Sequence, residues 1–298
     1  MKMSNAERDL RSIWAFLDRL AFTHGYVDAA GTKTRYVNAG PKDAPVVVMV
    51  HGMGGTWENF IANFAEFSKS FNTYAFDLKG HGYSDKPDEP YAVSGYVEQL
   101  EGFVKALGLT KIHLFGLSIG GWISTKFTVR NPGLVEKLIV MSAWGRLRLN
   151  ETEEERQNGM QFLAQRAKSV ENPSLEKMDK VFSQLIADPE QRMLDLLTLR
   201  MRVYSQPNMV RTMENVFAGI MPPLWEENVL TDEELKSISR PTMIIACPDS
   251  EDEFLVMAHQ YRSLIPDVEW CEVFGASHWP QWETADQVNA ASIEFLKG

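Results

Sequence analysis

Ser118 stands at the centre of Gly116-Leu117-Ser118-Ile119-Gly120, and His278 follows Gly275-Ala276-Ser277 far along the chain. A serine hydroxyl attacks a carbonyl when an imidazole takes its proton and amide N–H groups receive the resulting oxyanion. The surroundings of Ser118 suit that chemistry. Ile112-His113-Leu114-Phe115 reads as a strand running into the motif. Trp122 to Arg130 reads as a helix running out of it, stopped by Asn131-Pro132-Gly133. Strand, sharp turn and helix with serine at the apex make a nucleophile elbow. Small residues at 116 and 120 are needed because any side chain there would strike the neighbouring backbone. The hydroxyl is left over the start of a helix, where amides favour an anion.

His278 is the candidate base, because a loop after the last strand reaches back to the elbow. Of the other histidines, His24 precedes a hairpin, His113 lies within a strand and His259 on a helix. His51 and His81 sit in glycine-rich turns and read as structural. The candidate oxyanion donors are the amides of Ile119, directly after the serine, and Met53, in the turn His51-Gly52-Met53-Gly54-Gly55. The orienting acid is expected after the 241–246 strand, in Cys247-Pro248-Asp249-Ser250-Glu251-Asp252-Glu253-Phe254. Counting from the strand end places the acid position on Ser250, between the candidates Asp249 and Asp252, with Glu251 a further choice. Ser250 and Glu253 form a capping-box pattern, which starts a helix at 251 and puts Asp252 in its first turn.

These residues need a scaffold. Gly25 to Asn38 reads as a hairpin turning at Ala30-Gly31-Thr32. Apolar β-runs follow at 45–50, 73–76, 112–117, 138–141, 241–246 and 269–274, with a helix at 94–107. Buried β-runs alternating with helices predict an α/β fold with a mostly parallel sheet, whose active site lies at the carboxyl ends of the strands. His51, Asp77, Ser118 and the loop after Ala246 all fall at such ends. The pattern breaks between about 144 and 235. That stretch is helical and holds seven of the 14 methionines (Met160, Met178, Met193, Met201, Met209, Met213, Met221). It reads as a helical cap inserted into a core of 1–143 and 236–298. Its methionines offer ordinary helix packing or an adaptable apolar pocket wall. Gly52, Trp144, Arg146 and Trp279 are candidate substrate contacts.

At 298 residues, 44% hydrophobic, the chain can bury a large core. A net charge of −10 argues against nucleic acid or anionic membrane as a partner. Cys247 and Cys271 read as free thiols in neighbouring strands, which fits a cytoplasmic protein, and no metal-ligand spacing is present. Leu10, Ile13, Trp14, Leu17 and Leu20 recur at helical spacing. They predict an amphipathic helix over 5–21 that packs on the domain or on a partner chain, as in a homodimer. No signal peptide or membrane span is read.

The turn after 50, Asp77-Leu78-Lys79-Gly80-His81-Gly82-Tyr83-Ser84, Gly116 to Gly121 and Ser277-His278-Trp279 together resemble the α/β-hydrolase fold superfamily over nearly the whole chain. Relatives that open epoxides or remove halide carry aspartate where this chain has Ser118. Ser277-His278-Trp279-Pro280-Gln281-Trp282-Glu283, Ala285-Asp286-Gln287-Val288-Asn289 and Tyr204-Ser205-Gln206-Pro207 resemble the meta-cleavage product hydrolases, which cut a C–C bond in vinylogous 1,5-diketones. Two positions depart from that pattern: the acid loop lacks Gly-x-x-Asp, and Ser277 replaces a glycine. The resemblance implies a cofactor-free serine hydrolase acting on a small, largely apolar ester or diketone. A dienoate carboxylate would call for an arginine, and Arg146, Arg148, Arg200, Arg202 and Arg211 are the cap's candidates. A ligand receptor on the same fold, or a lyase or cofactor-independent oxygenase reusing the site, are the competing readings.

Overall fold

The computed structural model describes residues 12–146, 157, 161, 167–250 and 252–298. Eight strands form one sheet in the order β1-β2-β4-β3-β5-β6-β7-β8. They are β1 (Phe22–Ala29), β2 (Thr32–Ala39), β3 (Val46–Val50), β4 (Asn72–Phe76), β5 (Ile112–Leu117), β6 (Val135–Met141), β7 (Thr242–Ala246) and β8 (Val268–Glu272). The β1–β2 hairpin is antiparallel and turns through Ala30 and Gly31, both at positive φ. β2 pairs antiparallel with β4, and every later pairing is parallel.

Every residue of β5 and β7 is buried, as expected of apolar runs covered by helices on both sides. β8 is the sheet edge and is half exposed, so Cys271 is only partly buried while Cys247, just past β7, is buried. Both cysteines are free thiols. β6 begins three residues before the apolar run, at Val135-Glu136-Lys137. Lys137 fits because its ammonium reaches Phe295 O at 2.7 Å while its stem lies along the protein.

The helices between strands are α1 (Ile61–Phe67), α2 (Val93–Ala106) and α3 (Ile119–Arg130). Between β6 and β7 come α4 (Leu175–Phe182), α5 (Leu194–Tyr204), α6 (Met209–Gly219), α7 (Leu224–Asn228) and α8 (Asp232–Lys236). After β7 follow α9 (Glu253–Leu264), α10 (Pro280–Glu283) and α11 (Ala285–Lys297). Met178, Met193, Met209 and Met213 are buried within the inserted helices; Met160 lies outside the described residues. Both ends of the insert are tied together. Leu230 N–H donates to Gly145 O at 2.7 Å, and Lys126 on α3 reaches Val229 O and Glu234. No helix among the described residues is long and apolar enough to cross a membrane.

Of the helix expected over 5–21, residues 1–11 lie outside the described part and Ile13–Leu17 form one 3-10 turn. The α-helix does not run on, because Phe22 already begins β1. Ser12 instead caps the turn, and its hydroxyl and the Ile13 amide both donate to Asp195 on α5. Ile13 and Leu17 are the buried pair of the expected apolar stripe, while Trp14 is 44% exposed.

Candidate active site

Because β4 and β5 lie on opposite sides of β3, a crevice opens at the carboxyl ends of β3 and β5. The turn after β3 and the serine after β5 flank it. Ser118 has φ 58° and ψ −123°, a backbone state that a non-glycine residue holds only when its surroundings impose it. Here they do. A methyl on Gly116 would meet Gly120 O at 2.6 Å and Gly121 Cα at 2.7 Å, and one on Gly120 would run into Val50 O. Ser118 N–H donates to Met141 O, and Ser118 O accepts from Gly121 and Trp122 as α3 begins. Ile119 is the first residue of that helix, where amides lack partners within the helix. From the other side, a methyl on Gly52 would come within 3.1 Å of Ser118 Cβ. The structure therefore brings Gly52, Ser118 and Ile119 together, with Met53 next along the β3 turn and packed against the core.

His51 and His81 brace that turn. His51 Nδ1 donates to Gly52 O at 2.8 Å and Nε2 accepts from Leu78 N–H at 3.0 Å, an arrangement only the neutral ring satisfies. Burial, with Arg200 adding positive charge nearby, pushes the His51 pKa down to about 3. His81 is likewise held near 3 by burial, by His51 and by Arg200. Both would accept a proton near pH 6.5 in the unfolded chain. Between those values the unfolded state binds more protons, so stability falls as pH drops, by roughly 1.4 kcal/mol per pH unit per histidine. Glu58, whose pKa burial raises, acts in the opposite sense but is one group against two. Thermal melts are expected to lose temperature steeply from pH 6.5 to 4.5, and His81→Gln to flatten that slope.

His278 lies in the loop between β8 and α10, which leaves the sheet at the carboxyl ends of its parallel strands, as Ser118 does after β5, three strands away. Its ring lies tilted against that of Phe254 of α9, centroids 4.0 Å and planes 37° apart. The loop is anchored just before it. Gly275 N–H donates to Asp249 Oδ2 at 2.8 Å, and Ser277 donates from both N–H and hydroxyl to Glu283 at 2.7 Å. Ser277 also lies 3.0 Å from Leu185 O, so this serine ties the histidine loop to the insert.

The acid loop departs from expectation. α9 starts at Glu253, not at 251, with Asp252 as its cap accepting from Phe254 and Leu255 N–H. Aspartate and serine cap helices about equally well, so the S-x-x-E spacing alone does not choose between Ser250 and Asp252. Ser250 instead closes a short turn, its hydroxyl on Cys247 O. Asp249 is thus committed to Gly275 and Asp252 to the helix start; Glu251 lies outside the described residues.

The other candidates divide. Trp279 is buried edge-on against Phe182 of α4, centroids 5.4 Å apart. Trp144 stacks on Phe254, nearly parallel, and its indole nitrogen is buried with no hydrogen-bond partner among the described residues. Arg146 spends its donors on Leu230 O, Asp232 and Gln260, which fastens the root of the insert to α8 and α9.

Arg200, on α5, behaves differently. It is 3% exposed, sits over the Phe182 and Tyr204 rings at 5.1 and 5.5 Å, and donates to Tyr204 Oη at 3.4 Å. Among the described residues no carboxylate pairs with it, although its charge is felt at His51 and His81. A buried cation without a counter-ion is costly unless an anion comes to it. Its sequence position inside an apolar helix was the signal; only the fold separates it from Arg146.

Comparison with known proteins agrees with this architecture. Epoxide hydrolase 3 of Xenopus tropicalis is 34% identical over 124 residues, and the match spans 34% of that relative's length. A 2-hydroxy-6-oxononadienedioate/2-hydroxy-6-oxononatrienedioate hydrolase of Pseudomonas sp is 27% identical over 88% of this chain and 91% of its own. Carboxylesterase YbfK of Bacillus subtilis is 26% identical over 92% of this chain and 87% of its own. The crystal structure of 2-hydroxy-6-oxo-6-phenylhexa-2,4-dienoate hydrolase from Rhodococcus sp. strain RHA1 superposes with a TM-score of 0.81, at 21% identity, over 94% of this chain and all of that one. The family model for the alpha/beta hydrolase fold matches residues 45–285, from the start of β3 to the start of α11, and on that match the chain belongs to the α/β-hydrolase fold family.

Proposed function

We propose that this protein is a cofactor-free serine hydrolase of a small, largely apolar carbonyl substrate that carries a carboxylate. The observation that carries the reading is the Ser118 backbone, held at φ 58° against Gly52 at the mouth of the sheet crevice. Ser118 is the nucleophile and His278 the base. The Ile119 and Met53 amides receive the oxyanion, and the helices between β6 and β7 serve as the cap. His278 takes the proton of Ser118 as its oxygen attacks the carbonyl carbon, then gives it to the leaving group. Water activated by the same imidazole releases the acid.

Arg200, buried and without a carboxylate partner among the described residues, supports a carboxylate at the far end of the substrate, within a wall formed by Phe182, Tyr204 and Trp279. That favours a dienoate-type diketone, the class of compound in the name of the 2-hydroxy-6-oxononadienedioate hydrolase, cleaved here at a C–C bond, over a neutral ester. Arg200→Met is expected to lower kcat/KM for a carboxylate-bearing diketone about 100-fold, the loss of a charge-assisted hydrogen-bonded pair. Hydrolysis of an uncharged aryl ester should change less than about threefold by the same reasoning. Equal losses on both substrates would reject the anchor.

Incubation with a fluorophosphonate, followed by intact mass, tests the hydrolase reading. One adduct on wild type, absent from Ser118→Ala and His278→Ala, is expected. No adduct on folded wild type would sink the reading and leave ligand binding without turnover as the better account of this site.

A further inference from the structure

The ring contact at His278 assigns a role to a residue outside the expected set. We infer that Phe254 is a positioning residue for His278, fixing the plane of the imidazole and stabilising the imidazolium it becomes; this rests on the serine-hydrolase reading above.

The centroid separation of 4.0 Å, with planes 37° apart, is the shortest ring contact among the described residues. Phe254 is itself held from two sides. Its amide donates to the Asp252 cap at 3.0 Å, and its ring lies nearly parallel to that of Trp144, with centroids 5.9 Å and planes 10° apart. Trp144 is in turn fixed by α9, because Tyr261 Oη donates to Trp144 O at 2.6 Å. Phe254 and Tyr261 are seven residues apart, two turns along one face of the helix. One helix thus supplies Phe254 and fixes the Trp144 backbone beside it.

An apolar filler could seal this space, but an aromatic ring does more. It restricts rotation of the imidazole about its χ2. It also presents a negative face to a ring that is charged only after taking the Ser118 proton, so the attraction is stronger in the transition state than before it. Among the described residues, the charged groups around the loop are Asp249 on Gly275 N–H, Asp252 and Glu253 at the start of α9, and Glu283 on Ser277. A change at Phe254 leaves all four in place, so their titration cannot mimic its effect.

The test is the pH profile of aryl ester hydrolysis by wild type, Phe254→Leu and Phe254→Tyr. Phe254→Leu is expected to lower kcat about tenfold with KM within about twofold, and to lower the acid-limb pKa by about half a unit or more, as removal of a partly desolvated cation–π contact implies. Phe254→Tyr should restore both. Wild-type kinetics in Phe254→Leu, or equal losses in both variants, would overturn the inference. A second readout needs no change at Phe254. The His278 ring protons, assigned in NMR spectra by comparison with His278→Ala, should lie upfield through the ring current of Phe254; ordinary shifts would overturn the contact itself. The fluorophosphonate adduct keeps the two failures apart. Labelled wild type with an unaffected Phe254→Leu rejects only the positioning role. Unlabelled wild type rejects His278 as base and the positioning role with it.

Discussion

Ser118→Ala is expected to slow ester and diketone hydrolysis by at least about 10⁴-fold while leaving the fold intact, the scale seen when a nucleophile that acts as a unit with its base is removed. KM should stay close to wild type, since Gly52, the cap wall and Arg200 are untouched. A residual rate within about tenfold of wild type would mean that water is activated directly and that Ser118 is a bystander. The same position makes a second, opposite statement about stability. Its φ of 58° is strained for serine but ordinary for glycine. Ser118→Gly should therefore be as inactive as Ser118→Ala yet melt higher, by a gain of about 1 kcal/mol. A variant that loses activity and gains stability is the mark of backbone strain retained for chemistry.

The largest stability effect is expected at Arg35. Its guanidinium bonds Asp77 at 3.1 Å and pairs with Glu58, and all three side chains are buried. Asp77 also accepts from Trp57 and Tyr83 N–H, so this one carboxylate joins the segments that follow β3 and β4. Arg35→Met would keep most of the packing and leave two carboxylates buried together without a cation. Breaking such a group costs about 3–5 kcal/mol, or a melting point lower by roughly 10 °C for a chain of this size. The loss has a pH signature. Burial and Asp77 already raise the Glu58 pKa, and without Arg35 it rises further. A proton on Glu58 relieves the repulsion, so the gap between Arg35→Met and wild type should narrow toward pH 5. A gap that stays constant with pH would mean that the damage is packing and not charge.

Much of this architecture is legible in the chain because burial leaves plain patterns. The run at 46–50 is apolar throughout and that at 112–117 is apolar but for His113 and Gly116, since helices cover both faces, and the elbow glycines announce themselves by spacing. Glu136 and Lys137 hid the start of β6, because a strand end can carry charges whose heads reach solvent or α11. β8 reads as a core strand from its Trp, Cys, Val and Phe, yet edge position leaves it half exposed. The acid loop was the hardest to read. Three acids within four residues differ only in which amides they meet, and that depends on where α9 starts. Phe254 was invisible for the same reason: an aromatic at a helix start says nothing until a loop 24 residues on places a histidine over it.

The hydrogen bond between Gly145 and Leu230 has an evolutionary consequence. An insertion whose two ends already touch can grow, shrink or be replaced at the small entropic cost of closing a loop, about 0.6 kcal/mol for each doubling of length. The sheet register on either side does not have to shift. On the proposed reading, in which these helices cap the site, substrate preference becomes a replaceable module, free to drift between lineages while the chemistry beneath it stays constant. A minimal catalyst should be obtainable by joining residue 145 to residue 230 through a short turn.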